Sequence, residues 1–206
     1  MNNAKTSTED RRIRKTKTAL KHHLFLLLEE KPITSITVSD LVLATDINRS
    51  TFYRYYRDIP DMLHHLEAEI LYELKQIFED NIPMKSHQNR RASYSLELYQ
   101  NICEHVKEHT DFYYAIIGNR GDIGFLSEIE DLMISYVRTT VWSFYDKSSY
   151  LEKYSYAFFS SACINLLKQW VIHGFQETSL EFADILYQFD INITGIFTNT
   201  PDECNI

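Results

Sequence analysis

Residues 33–63, ITSITVSDLVLATDINRSTFYRYYRDIPDML, hold two short helical patterns on either side of a three-residue break. Thr37 stands before Val38, Leu41 and Val42, which repeat at i, i+3 and i+4; the threonine hydroxyl suits an N-cap and the apolar residues an inward face. Asp46-Ile47-Asn48 breaks the period, with Ile47 an apolar plug and Asn48 a cap for a second helix. On that helix Phe52 and Tyr56 lie four apart and share a buried stripe, leaving Arg49, Ser50, Tyr53 and Arg54 to face outward. Arginine grips guanine O6 and N7 through two hydrogen bonds, serine and threonine bond base edges or phosphates, and a tyrosine hydroxyl donates to a phosphate oxygen. A hairpin whose tyrosines merely pack is the alternative. Caps, plug and donor-rich face together favour a helix-turn-helix that reads a major groove.

Charge divides along the chain in the same sense. Residues 1–57 carry 11 Lys/Arg against 6 Asp/Glu, a balance of +5, whereas residues 58–206 carry 10 against 23, a balance of −13. A net charge of −8 spread evenly would oppose nucleic-acid binding, but a phosphate backbone responds to the local patch within about a Debye length. The run Arg11, Arg12, Arg14, Lys15, Lys17 and Lys21 reads on charge alone equally well as a solvated helix face; its place beside the donor-rich helix favours DNA.

The rest of the chain reads as helix, giving an all-α fold of about nine helices. Helix 1 is expected over about Asp10–Glu30, with Ile13, Leu20, Leu24, Leu27 and Leu28 inward and Pro32 stopping it. Helix 4 opens with Asp58 as N-cap and Asp61 three residues on, and its apolar period from Met62 to Phe78 makes it long. Helices 5, 6 and 7 are expected over about 94–109, 111–117 and 125–145, with a turn at Gly118–Asp122. Helices 8 and 9 follow over about 150–176 and 179–198 as an antiparallel pair, Ser179 capping the last. The division expected is a DNA-binding domain over 10–70 and a regulatory and dimerisation domain over 71–206. The longest late stretch free of charge, Tyr154–Leu167, is shorter than a bilayer span, so a cytoplasmic protein is expected with no membrane partner. Cys103, Cys163 and Cys204 are odd in number and widely spaced, as reduced structural thiols are.

Thr37-Val38-Ser39-Asp40-Leu41-Val42, Asp46-Ile47-Asn48 and Thr51-Phe52-Tyr53-Arg54-Tyr55-Tyr56 resemble the TetR/AcrR family of transcriptional regulators. In that family the pattern is Thr-Val-x-x-Ile-Ala, a Gly-Val-Ser-like turn, then Thr-(Phe/Leu)-Tyr-x-His/Tyr-Phe. Two positions depart from it. Asp46 stands where glycine is usual, which aspartate tolerates by bonding locally in a left-handed conformation. Ile59 replaces a lysine that commonly grips phosphate, with Arg57 close enough to substitute. The DNA contacts expected are Thr37, Ser39, Arg49, Ser50, Thr51, Tyr53, Tyr55 and Arg57. TetR-like proteins dimerise through their last two long helices, which assigns Phe159, Leu166, Leu167, Trp170, Leu186, Phe189 and Ile193 to a homodimer interface, against the alternative that they only cover the core. Phe159-x6-Leu166-Leu167-x2-Trp170-x3-Gly174 and Gly118-Asn119-Arg120-Gly121-Asp122-x2-Phe125 resemble the subgroup that regulates dihydroxyacetone kinase genes.

The resemblance implies a homodimeric repressor on a palindromic double-stranded operator, released by an effector, with an activator or a dimeric adaptor without DNA binding as alternatives. A small-molecule effector would find aromatic walls in Phe112, Tyr113, Phe125, Tyr136 and Trp142, although aromatics at helical spacing equally make core, and a protein co-regulator is the other option. Glu104, His105, Glu108 and His109 place two imidazoles at i, i+4 with carboxylates beside them. Without a third ligand no metal site or cofactor is expected, and a metal-dependent hydrolase using His105 and His109 is the weak enzymatic alternative. No glycine-rich phosphate cradle or nucleophile elbow supports an enzyme.

Overall fold

The computed structural model describes residues 3–81, 95–117, 123–140 and 150–198. Among them there is no strand, and nine helices follow in order: α1 (Asn3–Glu30), α2 (Val38–Thr45), α3 (Arg49–Phe52), α4 (Ile59–Asp80), α5 (Leu96–Glu108), α6 (Thr110–Ile117), α7 (Ile123–Thr140), α8 (Tyr150–Ile172) and α9 (Ser179–Thr198). A single 3-10 turn, Ile33–Ser35, links α1 to α2. The chain divides into two compact units, Met1–Glu69 with Asp111–Asp122, and Ile70–Thr110 with Ile123–Ile206, so that the division falls within α4.

Several boundaries differ from the sequence expectation. Helix α1 starts at Asn3 rather than near Asp10, since neither glycine nor proline occurs before Pro32 to stop it. Helix α3 is only four residues long, Tyr53 closing it, although the turn beyond keeps the Tyr56 N–H on the Phe52 carbonyl at 3.1 Å. Helix α8 ends at Ile172, because Gly174 and Phe175 both turn left-handed, at φ 73° and 57°. The cap of α9 is Thr178, not Ser179: Thr178 Oγ1 accepts from the Glu181 N–H at 3.3 Å while Glu181 Oε2 accepts from the Thr178 N–H at 2.9 Å.

The first unit is built on the inward stripe of α1. Leu20, Leu24, Phe25 and Leu28 are buried there, Ile13 and Leu27 half-buried, and Leu41, Phe52 and Met62 have no exposed surface. Helix α6 joins this unit despite its place in the sequence, as Phe112 packs edge-on against Phe25 with ring centroids 5.8 Å apart. Ile59 is 2% exposed, so the position where a surface lysine was expected is part of the core.

In the second unit α9 lies on α5 and α8 on α7. That replaces the expected α8–α9 pair as the main packing, but the two helices meet at their shared corner, where Trp170 stacks on Phe182 at 4.5 Å and 7° and donates its Nε1–H to the Glu177 carbonyl at 3.1 Å. Tyr136 closes on Phe78 at 4.7 Å and donates its hydroxyl to the Asn81 carbonyl at 2.7 Å. Cys103 and Cys163 are buried, and burial pushes both thiols up to about 12, which suits structural thiols; Cys204 lies outside the described residues.

Candidate nucleic-acid interface

The candidate surface is assembled from two caps and a left-handed turn. Thr37 Oγ1 accepts from the Asp40 N–H at 3.2 Å, and Asp40 Oδ2 accepts from the Thr37 N–H at 2.9 Å and from Lys31 Nζ at 2.8 Å. Asp46 then closes α2 at φ 52° and ψ 39°, the left-handed conformation in which aspartate serves for the missing glycine. Two residues on, the Asn48 side chain accepts from the Ser50 N–H at 3.3 Å and starts α3. Phe52 at 0% exposure and Tyr56 at 6% anchor that helix from below.

The Lys31 and Thr37 hydrogen bonds hold the Asp40 carboxyl down at about 2. A carboxyl lowered on folding stabilises the fold above its ordinary value of 3.8, and that contribution disappears as pH falls toward about 2. The gap in melting temperature between wild type and Asp40→Asn is therefore expected to shrink across this window. A gap that stays constant would contradict the assignment.

On the outer side Arg49, Ser50, Tyr53 and Arg54 are exposed, Tyr53 by 56%. Arg49 Nη2 donates to Ser39 Oγ at 2.5 Å, so two expected contact residues from α2 and α3 meet. Thr37 is exposed with its hydroxyl used in the cap, Thr51 is half-buried, and Tyr55 is half-buried with Lys17 Nζ 5.8 Å from its ring centroid. Arg57 is held by Asp61: its Nε and Nη2 donate to Oδ1 at 2.9 and 2.6 Å, and its N–H donates to Oδ2 at 2.9 Å. These bonds lower the Asp61 carboxyl, while the guanidinium stays 87% exposed. Asp61 was legible as a helix-start residue, for its N–H donates to Asp58 Oδ1 at 2.8 Å; its hold on Arg57 was not.

Arg11, Arg12, Arg14, Lys15 and Lys17 line the exposed side of α1. Between α1 and the start of α4 lies a cavity of 380 Å³ lined by Arg14, Lys17, Lys21, Tyr56, Leu66 and Glu69 among others, which sequence reasoning missed because its walls come from separate segments.

Four of the five residues expected to line an effector pocket are buried. Phe112 and Tyr113 are buried in the first unit, and Phe125 and Tyr136 in the second; Trp142 lies outside the described residues. The expected dimer set is divided likewise. Phe159, Trp170 and Leu186 are buried within the chain itself, Leu166 and Leu167 are half-buried, Phe189 is 50% exposed, and the Ile193 side chain lies outside the described residues.

Residues 94–190 match the model of a transcriptional regulator C-terminal region of TetR type. Over this region the chain is similar to the C-terminal part of TetR regulators. Two solved structures share the fold over most of the chain. One is the "Dihydroxyacetone kinase operon activator DhaS", 19% identical with a TM-score of 0.54, covering 88% of this chain and 95% of its own. The other is a TetR transcriptional regulator from Streptococcus agalactiae 2603V, 24% identical with a TM-score of 0.53, covering 89% and 97%. No curated protein sequence matches the chain significantly. The matching region is described as that of a transcriptional regulator, and neither it nor the two similar structures is described as an enzyme. Among the described residues no helix is long and apolar enough to cross a membrane.

Proposed function

We propose that the chain is a sequence-specific DNA-binding repressor, acting as a homodimer on a palindromic operator and released by an effector or protein partner. The observation that carries this reading is the exposed donor face of Arg49, Ser50, Tyr53 and Arg54, anchored by buried Phe52 and flanked by the basic side of α1. Arg49 reads base edges, Ser50 and Thr51 add hydroxyl contacts, and Thr37, Ser39, Tyr53, Tyr55 and Arg57 position the backbone. Two heads about 34–36 Å apart would enter successive major grooves. The second copy is held through exposed apolar side chains on α8 and α9, Tyr154, Phe158, Ile185 and Phe189, with half-buried Leu166 and Leu167 between. Helix α4 runs unbroken from Ile59 to Asp80, so an event in the second unit has a covalent, helical route to the first. A coupling of about 1–3 kcal/mol changes operator affinity about 5- to 150-fold.

Selection of bound sequences from random DNA tests the reading: a two-fold symmetric site supports it, and recovery of no preferred sequence refutes it. On the selected site Arg49→Ala is expected to cost about 1–3 kcal/mol with little change on random DNA, whereas Tyr53→Phe should weaken both alike. Equal losses for Arg49→Ala on both would contradict base reading. The likeness to a protein named as an operon activator favours activation as the second reading. A promoter reporter with and without the protein separates the two by the sign of its response.

A further inference from the structure

We propose that Glu73, His105 and His109 form a binding site for one divalent transition-metal ion, zinc in first place. The sequence offers two imidazoles at i, i+4 on α5 and no third ligand near them; the fold supplies it from another helix. Glu73 on α4 places Oε2 2.8 Å from His109 Nε2 and 3.5 Å from His105 Nδ1. One ligand atom from each residue lies within 4.8 Å of the other two, and the two imidazole centroids are 4.6 Å apart. Ligands at zinc distances of about 2.0–2.2 Å stand roughly 3.3 Å from one another in a tetrahedron, so small side-chain rotations bring this set onto one ion.

The donor chemistry narrows the ion. Two nitrogen donors and one carboxylate suit zinc, cobalt or nickel, whereas magnesium and calcium require shells of oxygen. Three protein ligands leave a fourth position for water or a small anionic or thiol ligand. Burial is graded to match: the His105 side chain is 6% exposed, His109 21% and Glu73 46%, which fixes the imidazoles and leaves access from the carboxylate side. Charge favours a cation as well. Glu104 and Glu108 are exposed, each one residue before a histidine, and Lys107 of the same helix is drawn aside, its Nζ 4.2 Å from the Phe175 ring centroid. An ion held here would pin α4 to α5 where the Glu73 carboxylate already meets both rings.

The test is calorimetric titration of the chelator-stripped full chain with zinc sulfate, followed by cobalt substitution. One ion per chain and the visible bands of four-coordinate cobalt are expected. Glu73→Gln/His109→Gln should lower affinity about a hundredfold or more, and Glu104→Gln/Glu108→Gln should leave it within about threefold. The partly exposed positions chosen spare the buried His105, and an unchanged metal-free melting curve for the double variant shows that it folds. The absence of saturable uptake overturns the proposal. So does uptake that survives in Glu73→Gln/His109→Gln, for the ion then sits on other histidines such as His22-His23 or His64-His65.

Discussion

Affinity for the selected operator is expected to fall about 10³- to 10⁵-fold as salt rises from about 50 to about 200 mM, since two heads of the proposed dimer would together neutralise on the order of 6 to 10 phosphates. The charges that do this are confined to the first part of the chain. Arg11, Arg12, Arg14, Lys15 and Lys17 are exposed on α1, and Arg49, Arg54 and Arg57 are exposed around α3. On the proposed reading the acidic region, with a balance of −13 over residues 58–206, should add little to the slope. Binding measured against salt for wild type and Arg57→Ala also decides what the Asp61 pair does. If that pair merely orients an exposed guanidinium toward phosphate, the slope drops by about 1. If the arginine is spent on Asp61, the slope is unchanged and nothing replaces the lysine missing at Ile59. A fall of less than about tenfold for the wild type would remove the basic head as the source of affinity.

Trp170→Ala is expected to cost about 3–5 kcal/mol of folding stability. Trp170 is 2% exposed, stacks flat on Phe182 and meets Phe175 edge-on at 4.8 Å, so the truncation empties the corner between α8 and α9. It also leaves the Glu177 carbonyl without its indole donor. Trp170→Phe keeps most of the ring and should lose much less. Chemical denaturation at fixed protein concentration measures both, and a loss below about 1 kcal/mol for the alanine variant would mean that the stack carries little of the fold.

What the sequence made legible was local. Thr37, Asn48 and Asp46 announce their caps and their turn because the atoms that satisfy them lie within three residues. The stripe of α4 and the exposure of Arg49 and Tyr53 follow from helical period alone. Beyond the helix ends, what the sequence left hidden were pairings across the chain. Nothing in the spacing says that Trp170 stacks on Phe182 or that Phe112 meets Phe25 edge-on. Ile59 reads as a lost phosphate contact, and its burial among apolar neighbours is not visible in the spacing. Glu73 gives no signal in sequence as a partner for His109, since nothing in the spacing says that α4 and α5 meet there.

The bond from Arg49 to Ser39 bears on how such a protein would find its site. A base-reading arginine that hangs free must be desolvated at every wrong sequence it passes, whereas one parked on a neighbouring hydroxyl keeps its donor satisfied while phosphate contacts carry the protein along the duplex. Only a correctly placed guanine, offering two acceptors for the one surrendered, draws the side chain out. On the proposed reading, search and recognition would use different side chains, and a sliding complex would resist capture by near matches.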